Sequence, residues 1–451
     1  MSQKGVQNYG AIVDAPLPIY YVTPAPPPRP SFTSSRFFKA TILALAFLEV
    51  SWLSRHLFIH RHRHHSHYDP WDPDMTRINP NSDDCSVWNH YDPDQPHRHD
   101  ANITSPPRTQ NASTQDAGDK YSFSIPTSSS RYHFVSWGPI DKSRFEVVPV
   151  ESDKKQIVVE VEVTKDPEGV ARVCALPSTG DDQTYGVGFY APRIPGRHDH
   201  HYAPAFKVLV YIPTSSSQQH LNAFETRLGQ FEHVFPDLSQ TTNFSRIQTS
   251  AANVPMTFQS VTATSVHVSN ANGPISGSLT SATDLIVSNA NGKIDGEFTL
   301  TQAGNIKLDN ANGPTTAQIR LKSGDFHPRP DYHLTASNAN GPVDLTVLEQ
   351  PVGSGFFLKG SNAMSAVRVH LNAAFEGAFK LSTVFNRPNV EVTNKDEDPA
   401  GRGRERFVQF DQHGSTTSGR AGWGSPNDAK EHAPGNVVLD TVAAPLELFF
   451  D

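Results

Sequence analysis

From Ser265 onward, apolar residues fall on every second position, the spacing of a strand with one buried face. Val266 and Val268, Leu285 and Val287, and Ile306 and Leu308 follow this rule just ahead of a recurring four-residue word. The word is Asn270-Ala-Asn272-Gly273, Asn289-Ala-Asn291-Gly292, Asn310-Ala-Asn312-Gly313 and Asn338-Ala-Asn340-Gly341, with glycines 19, 21 and 28 residues apart. Beyond each word the alternation resumes. Ile275, Gly277 and Leu279, Ile294, Gly296 and Phe298, and Val343, Leu345 and Val347 share one face, while Ser276, Asp295 and Asp344 fall on the other. Each unit therefore predicts strand, asparagine-rich bend, strand, repeated along the chain. Degenerate copies extend the array at 247–253, 361–367 and 438–446, as expected of terminal units that have a neighbour on one side only.

Two all-β architectures satisfy this pattern. In an antiparallel β-meander, each Asn-Gly would close a hairpin, since both residues tolerate the positive φ of a type I′ turn. In a parallel, β-helix-like solenoid, each unit would stack on the next about 4.8 Å away, and Asn270, Asn289, Asn310 and Asn338 would form an amide ladder. A hairpin needs only its glycine, whereas stacked corners reward the whole word, so the solenoid is favoured. The asparagines are then structural turn residues with no ligand.

Outside the repeat, Ile157, Val159, Val161 and Val163 alternate, as does Phe206-Lys-Val-Leu-Val-Tyr-Ile212, which predicts a β-rich cap over 121–240 ahead of the repeat region 241–393. Within the cap, 221–231 is the one short stretch that reads as a helix. The Gly-, Ser- and charge-rich stretch 394–434 predicts a long flexible loop, and 435–451 a terminal strand.

Before residue 121 the pattern changes. The apolar stretch 37–59 would span roughly 34 Å as a helix, enough for a hydrocarbon core of about 30 Å. With 36 residues ahead of it, it reads as an uncleaved signal anchor, a single transmembrane helix, rather than a cleaved signal peptide. Basic residues flank both ends, so charge does not orient it. The glycosylation sequons at Asn102, Asn111 and Asn243 all follow it, which favours a lumenal or extracellular C-terminal domain. The tail 1–36 is Pro-rich, with Pro24-Ala-Pro-Pro27-Pro-Arg29 matching an SH3-type ligand and Leu17-Pro-Ile-Tyr20 loosely resembling a WW-type one. The segment 60–120, rich in His, Asp and Pro, reads as a disordered stalk. In it, His62, His64, His65 and His67 are candidate metal ligands, although a flexible run lacks the preset geometry of a dedicated site.

Composition narrows the chemistry. The 451-residue chain holds 36 prolines and a formal charge of −8 with mixed signs, so it offers no broad cationic surface for nucleic acid. Its two cysteines, Cys85 and Cys174, are too few for a disulfide framework or a cysteine-based zinc site, and since they fall in different regions a bond between them is not expected. No nucleophile elbow, phosphate-binding glycine loop, zincin helix or cofactor fingerprint is present.

With this order of tail, anchor, stalk and Ser/Asp-Asn-Ala-Asn-Gly units, the chain resembles fungal single-pass membrane proteins whose C-terminal region is similar to the bacterial adhesin-like β domain. The resemblance covers most of the chain after Tyr121. It carries no functional residue over; anchor, stalk and repeat together predict a non-enzymatic surface protein that presents a β-repeat domain for adhesion, recognition or structural support, with cell-wall glycans or surface proteins as partners. The unit at Met364-Ser365 has lost its Asn-Gly, which interrupts any ladder beyond Gly341. Two other readings remain: a carbohydrate-active β-helix enzyme using Asp295 and Asp344, and metal capture by the histidine stalk.

Overall fold

The computed structural model describes residues 85–87, 120–166, 169, 171–176, 183–191, 203–324, 330–393, 397–426 and 435–450. These are all-β, without a helix. The alternation works as read: Val266, Val268, Leu285, Val287, Ile306 and Leu308 are each buried to within 1% of completely.

The strands flanking one bend are not hydrogen bonded into a hairpin. Met256–Asn270 lies parallel to Ile275–Asn289, placing Asn270 opposite Asn289. Gly304–Asn310, Asp331–Asn338 and Gly355–Asn362 continue this ladder of strands ahead of the bends. Ile294–Leu300, Thr315–Leu321, Val343–Glu349 and Val367–Leu371 build a second parallel ladder after them. A meander would pair flanking strands antiparallel across each turn, so that alternative is ruled out. The long strands Met256–Asn270 and Ile275–Asn289 bend midway and serve both ladders. The apolar residues of both ladders form one continuous core.

At both ends the spatial order of units departs from sequence order. Arg131–Trp137 sits between Thr184–Tyr190 and Gln219–Arg227, and Ser143–Glu151 between Ala205–Thr214 and Phe231–Asp237. At the other end Gly435–Thr441 lies between Gly355–Asn362 and Gly377–Ser382, and Leu446–Phe450 between Val367–Leu371 and Asn389–Val392. Antiparallel strands finish the ladders: Gln156–Lys165 with Lys120–Pro126, Arg172–Leu176 with Cys85–Val87, and Thr416–Trp423 with Arg406–His413.

Several expectations change. The helix read over 221–231 is the strand Gln219–Arg227 and the start of the next one. Core residues there step by three at a bend, as in Leu221 to Phe224 and Phe244 to Ile247, and that step imitates a helical period. The expected loop 394–434 contains a hairpin of Arg406–His413 and Thr416–Trp423, stabilised against Gly377–Ser382. The expected terminal strand 435–451 is two strands, and it is inserted into the stack rather than closing it. Cys174 is disulfide-bonded, the register sets it opposite Cys85, and no free cysteine is left. Antiparallel pairing of two distant segments is what brings these residues together.

The tail 1–36 with its Pro24–Arg29 and Tyr20 motifs, the anchor 37–59, the histidines His62, His64, His65 and His67, and the sequons at Asn102 and Asn111 lie outside the described residues. Among the described residues no helix is long and apolar enough to cross a membrane.

Candidate functional site

The word Asn-Ala-Asn-Gly builds a corner, and its two asparagines do different things. The first is buried: Asn270, Asn289, Asn310, Asn338 and Asn362 are 1–6% exposed. Its Nδ2 donates to the corner carbonyl of the preceding unit, from Asn289 to Gly273 O at 2.8 Å, Asn310 to Gly292 O at 2.9 Å and Asn338 to Gly313 O at 2.7 Å. Its Oδ1 accepts from its own corner, as Asn338 does from the backbone N–H groups of Asn340 at 3.1 Å and Gly341 at 2.9 Å. One side chain therefore closes its own turn and fastens it to the turn before. A buried amide with those bonds unmet would cost about 1–3 kcal/mol, which fixes asparagine here.

The second asparagine is exposed and carries the side-chain ladder. Asn272 Nδ2 donates to Asn253 Oδ1 at 2.5 Å, Asn291 to Asn272 at 2.6 Å, Asn312 to Asn291 at 2.6 Å and Asn340 to Asn312 at 2.6 Å. The amide ladder expected at Asn270, Asn289, Asn310 and Asn338 thus runs through their partners two residues on. It ends where Met364 replaces the asparagine, while the buried row continues one unit further through Asn362 Nδ2 to Gly341 O at 2.7 Å.

The glycine serves close approach rather than a type I′ turn. None of Gly273, Gly292, Gly313 and Gly341 has positive φ. A Cβ on Gly313 would lie 2.0 Å from Gly292 O, and one on Gly341 2.1 Å from Gly313 O, so stacked corners leave no room for a side chain. Ser365 occupies this place in the next unit and donates its hydroxyl to Asn340 O.

Two further rows flank the corner. Pro255, Pro274, Lys293, Pro314 and Pro342 are exposed immediately after it. Ser269, Ser288, Asp309, Ser337 and Ser361 stand just before it, in register on the outward face. At the first corner the surface opens into a cleft of about 440 Å³ lined by Asn253, Val254 and Pro255 together with Lys142, Arg144, Lys207, Thr164 and Glu232. Arg144 is bonded there to Glu146 at 2.9 Å and Glu232 at 3.4 Å.

Of the other sequence candidates, Asp295 and Asp344 do share one outward row, with Thr316 between them. Asp295 is held by Lys293 at 2.6 Å, so the pair forms part of a charged surface. Asn243 lies within Thr242–Ala251, half-buried, with its Oδ1 buried, and is a less open glycan acceptor than its motif implies. Among the described residues no group of three or more His, Cys, Asp or Glu side chains is placed to hold a metal ion. The row of prolines and the cleft were missed in the sequence. The recurrence of Pro after Gly in three of the four words was the available signal.

No protein-family profile and no curated protein matches the chain. Two solved structures are similar in part. A proposed cell adhesion protein from Clostridium sporogenes aligns over 74% of this chain and 100% of its own at 7% identity, with a TM-score of 0.18. A proposed adhesin from Parabacteroides distasonis aligns over 56% and 94% at 14% identity, with a TM-score of 0.24. Scores this low say nothing about the activity of this chain.

Proposed function

We propose that this chain is a membrane-anchored, non-enzymatic surface protein whose units form a β-solenoid rod for adhesion, recognition or structural support, held outside the cytosol on a single-pass signal anchor. The observation that carries the reading is the in-register stacking of corners, each fastened to the last by a buried asparagine. Such a stack is stiff, and it repeats one exposed surface at a fixed spacing, which suits a scaffold that presents contacts rather than a pocket that turns over substrate. The disulfide at Cys174 supports the compartment, since disulfides persist in lumenal and extracellular settings and are rare in the cytosol.

The test is endoglycosidase treatment of the full-length protein made in a eukaryotic host, with Asn102, Asn111 and Asn243 changed singly to Gln. A mass shift lost on substitution, together with protection of the domain from protease added on the cytosolic side, is the expected result. Absence of any glycan combined with cleavage from the cytosolic side would sink the surface reading.

A further inference from the structure

The exposed corner carries more than a turn needs. Each amide of the row Asn253, Asn272, Asn291, Asn312 and Asn340 uses bonds along the row, but an amide has two N–H donors and an oxygen with two lone pairs. Asn312 also donates to Ala290 O at 3.2 Å, while the other exposed amides keep capacity to donate and to accept, repeated once per unit at about 4.8 Å. Beside it runs an apolar strip of proline rings at Pro255, Pro274, Pro314 and Pro342. The strip ends in the cleft lined by Asn253 and Pro255, so strip, amides and cleft form one continuous track along an edge of the stack.

The occupant has to be linear, to repeat in step with the units, and to show both hydroxyls and an apolar face. An extended polypeptide advances about 3.4 Å per residue and drifts out of step within two or three units. A polysaccharide of equatorially linked pyranose rings advances by about one ring per unit, offers vicinal hydroxyls to amides, and has C–H faces that lie on proline rings. Lys293, the single charge in the proline strip, is neutralised by Asp295 at 2.6 Å, which fits an uncharged polymer. We propose that the Asn253–Asn340 track binds a neutral, unbranched polysaccharide of this kind. This rests on the surface reading above and names its ligand class.

Two exceptions in the chain supply the test variants: Met364 and Lys293 already occupy an amide position and a proline position in folded units. The full-length protein is incubated with chitin, cellulose and amylose, and retention is measured for wild type, for Asn272→Met/Asn291→Met/Asn312→Met and for Pro274→Lys/Pro314→Lys/Pro342→Lys, with melting curves recorded for each. The expected result is retention on chitin or cellulose but not on axially linked amylose, competition by a hexasaccharide at least tenfold better than by a disaccharide, and at least tenfold weaker retention of either folded variant. Wild-type-like retention of a folded variant overturns the track while leaving the surface reading intact. Failure of the wild type to bind chitin and cellulose, in protein that carries glycan on its sequons, does the same. The surface reading itself stands or falls on the glycan and protease results, so the two failures are told apart.

Discussion

The middle of the molecule and its N-terminal end stack strands in the same way but hold register by different means. In the middle, each corner is fastened by a buried asparagine and the core beneath is mostly aliphatic. One step toward the N-terminus the buried asparagine is replaced by Ala251, and one step further by Leu228, which is fully buried. There the core turns aromatic: Phe224 packs against Phe134 at 5.4 Å, Phe235 at 6.0 Å and Phe244 at 5.7 Å, and Phe235 against Phe258 at 5.0 Å. Polar latches specify identical neighbours, and a repeated word follows. Interlocked rings specify particular neighbours and permit a unit to be inserted out of order.

The largest effect should come from the aromatic end. Phe224→Ala removes the ring that five others touch, those of Tyr132, Phe134, Phe145, Phe235 and Phe244, and is expected to cost about 4 kcal/mol. Hydrogen exchange should show protection lost first over 121–240, and uniform loss along the stack would break the contrast. Next, Gly313→Ala forces a methyl group to within 2.0 Å of the Gly292 carbonyl oxygen and should cost about 3 kcal/mol. Gly229→Ala, at a corner place that alanine fills in the following units, meets nothing closer than 3.8 Å and should leave the melting temperature unchanged. Equal losses from the two would mean that close corner contact is not confined to the middle.

Acid should also tell the ends apart. His233 is fully buried, its Nδ1–H donating to Phe231 O at 2.8 Å and its Nε2 accepting from the Thr226 hydroxyl at 2.8 Å. Burial pulls its pKa down to about 4, against the opposing pull of the Phe231 bond. A histidine depressed on folding stabilises the fold above its unfolded pKa near 6.5, and that contribution fades as pH falls toward 4. A loss of about 2 kcal/mol between pH 7 and 4.5 is expected in the 121–240 region, and in His233→Gln the pH dependence should flatten. Smallest, Asn310→Ala leaves the Gly292 carbonyl and the Gly313 N–H without their side-chain partner and should cost about 1 kcal/mol, with Asn310→Asp restoring only the acceptor half. Thermal melts of the two variants would show whether both halves count.

What was legible in the sequence was local and periodic. Val266/Val268 and Leu285/Val287 announced strands with one buried face, and recurrence of the whole word around Gly273, Gly292, Gly313 and Gly341 separated stacking from hairpins. The roles of the two asparagines were not legible, because both stand beside the same turn and only the third dimension decides which one faces the core. The position of the unit 435–450 was hidden for a related reason: its strands fit the common frame, and a frame does not say which neighbours a unit takes. The Cys85–Cys174 bond depends on the pairing of Cys85–Val87 with Arg172–Leu176, a contact set by the fold of the whole N-terminal end.

That inserted unit also sets a timetable. A ribosome releases the two units it will separate, Gly355–Leu371 and Gly377–Val392, before the strands Gly435–Thr441 and Leu446–Phe450 exist. Until those two strands emerge, the growing stack exposes the open strand edges of Gly355–Asn362 and Val367–Leu371, and the hairpin Arg406–Trp423 has no finished end to close. The stack is thus completed only by the strands Gly435–Thr441 and Leu446–Phe450, and a nascent or truncated product lacking them carries an unpaired edge open to aggregation or to quality-control factors.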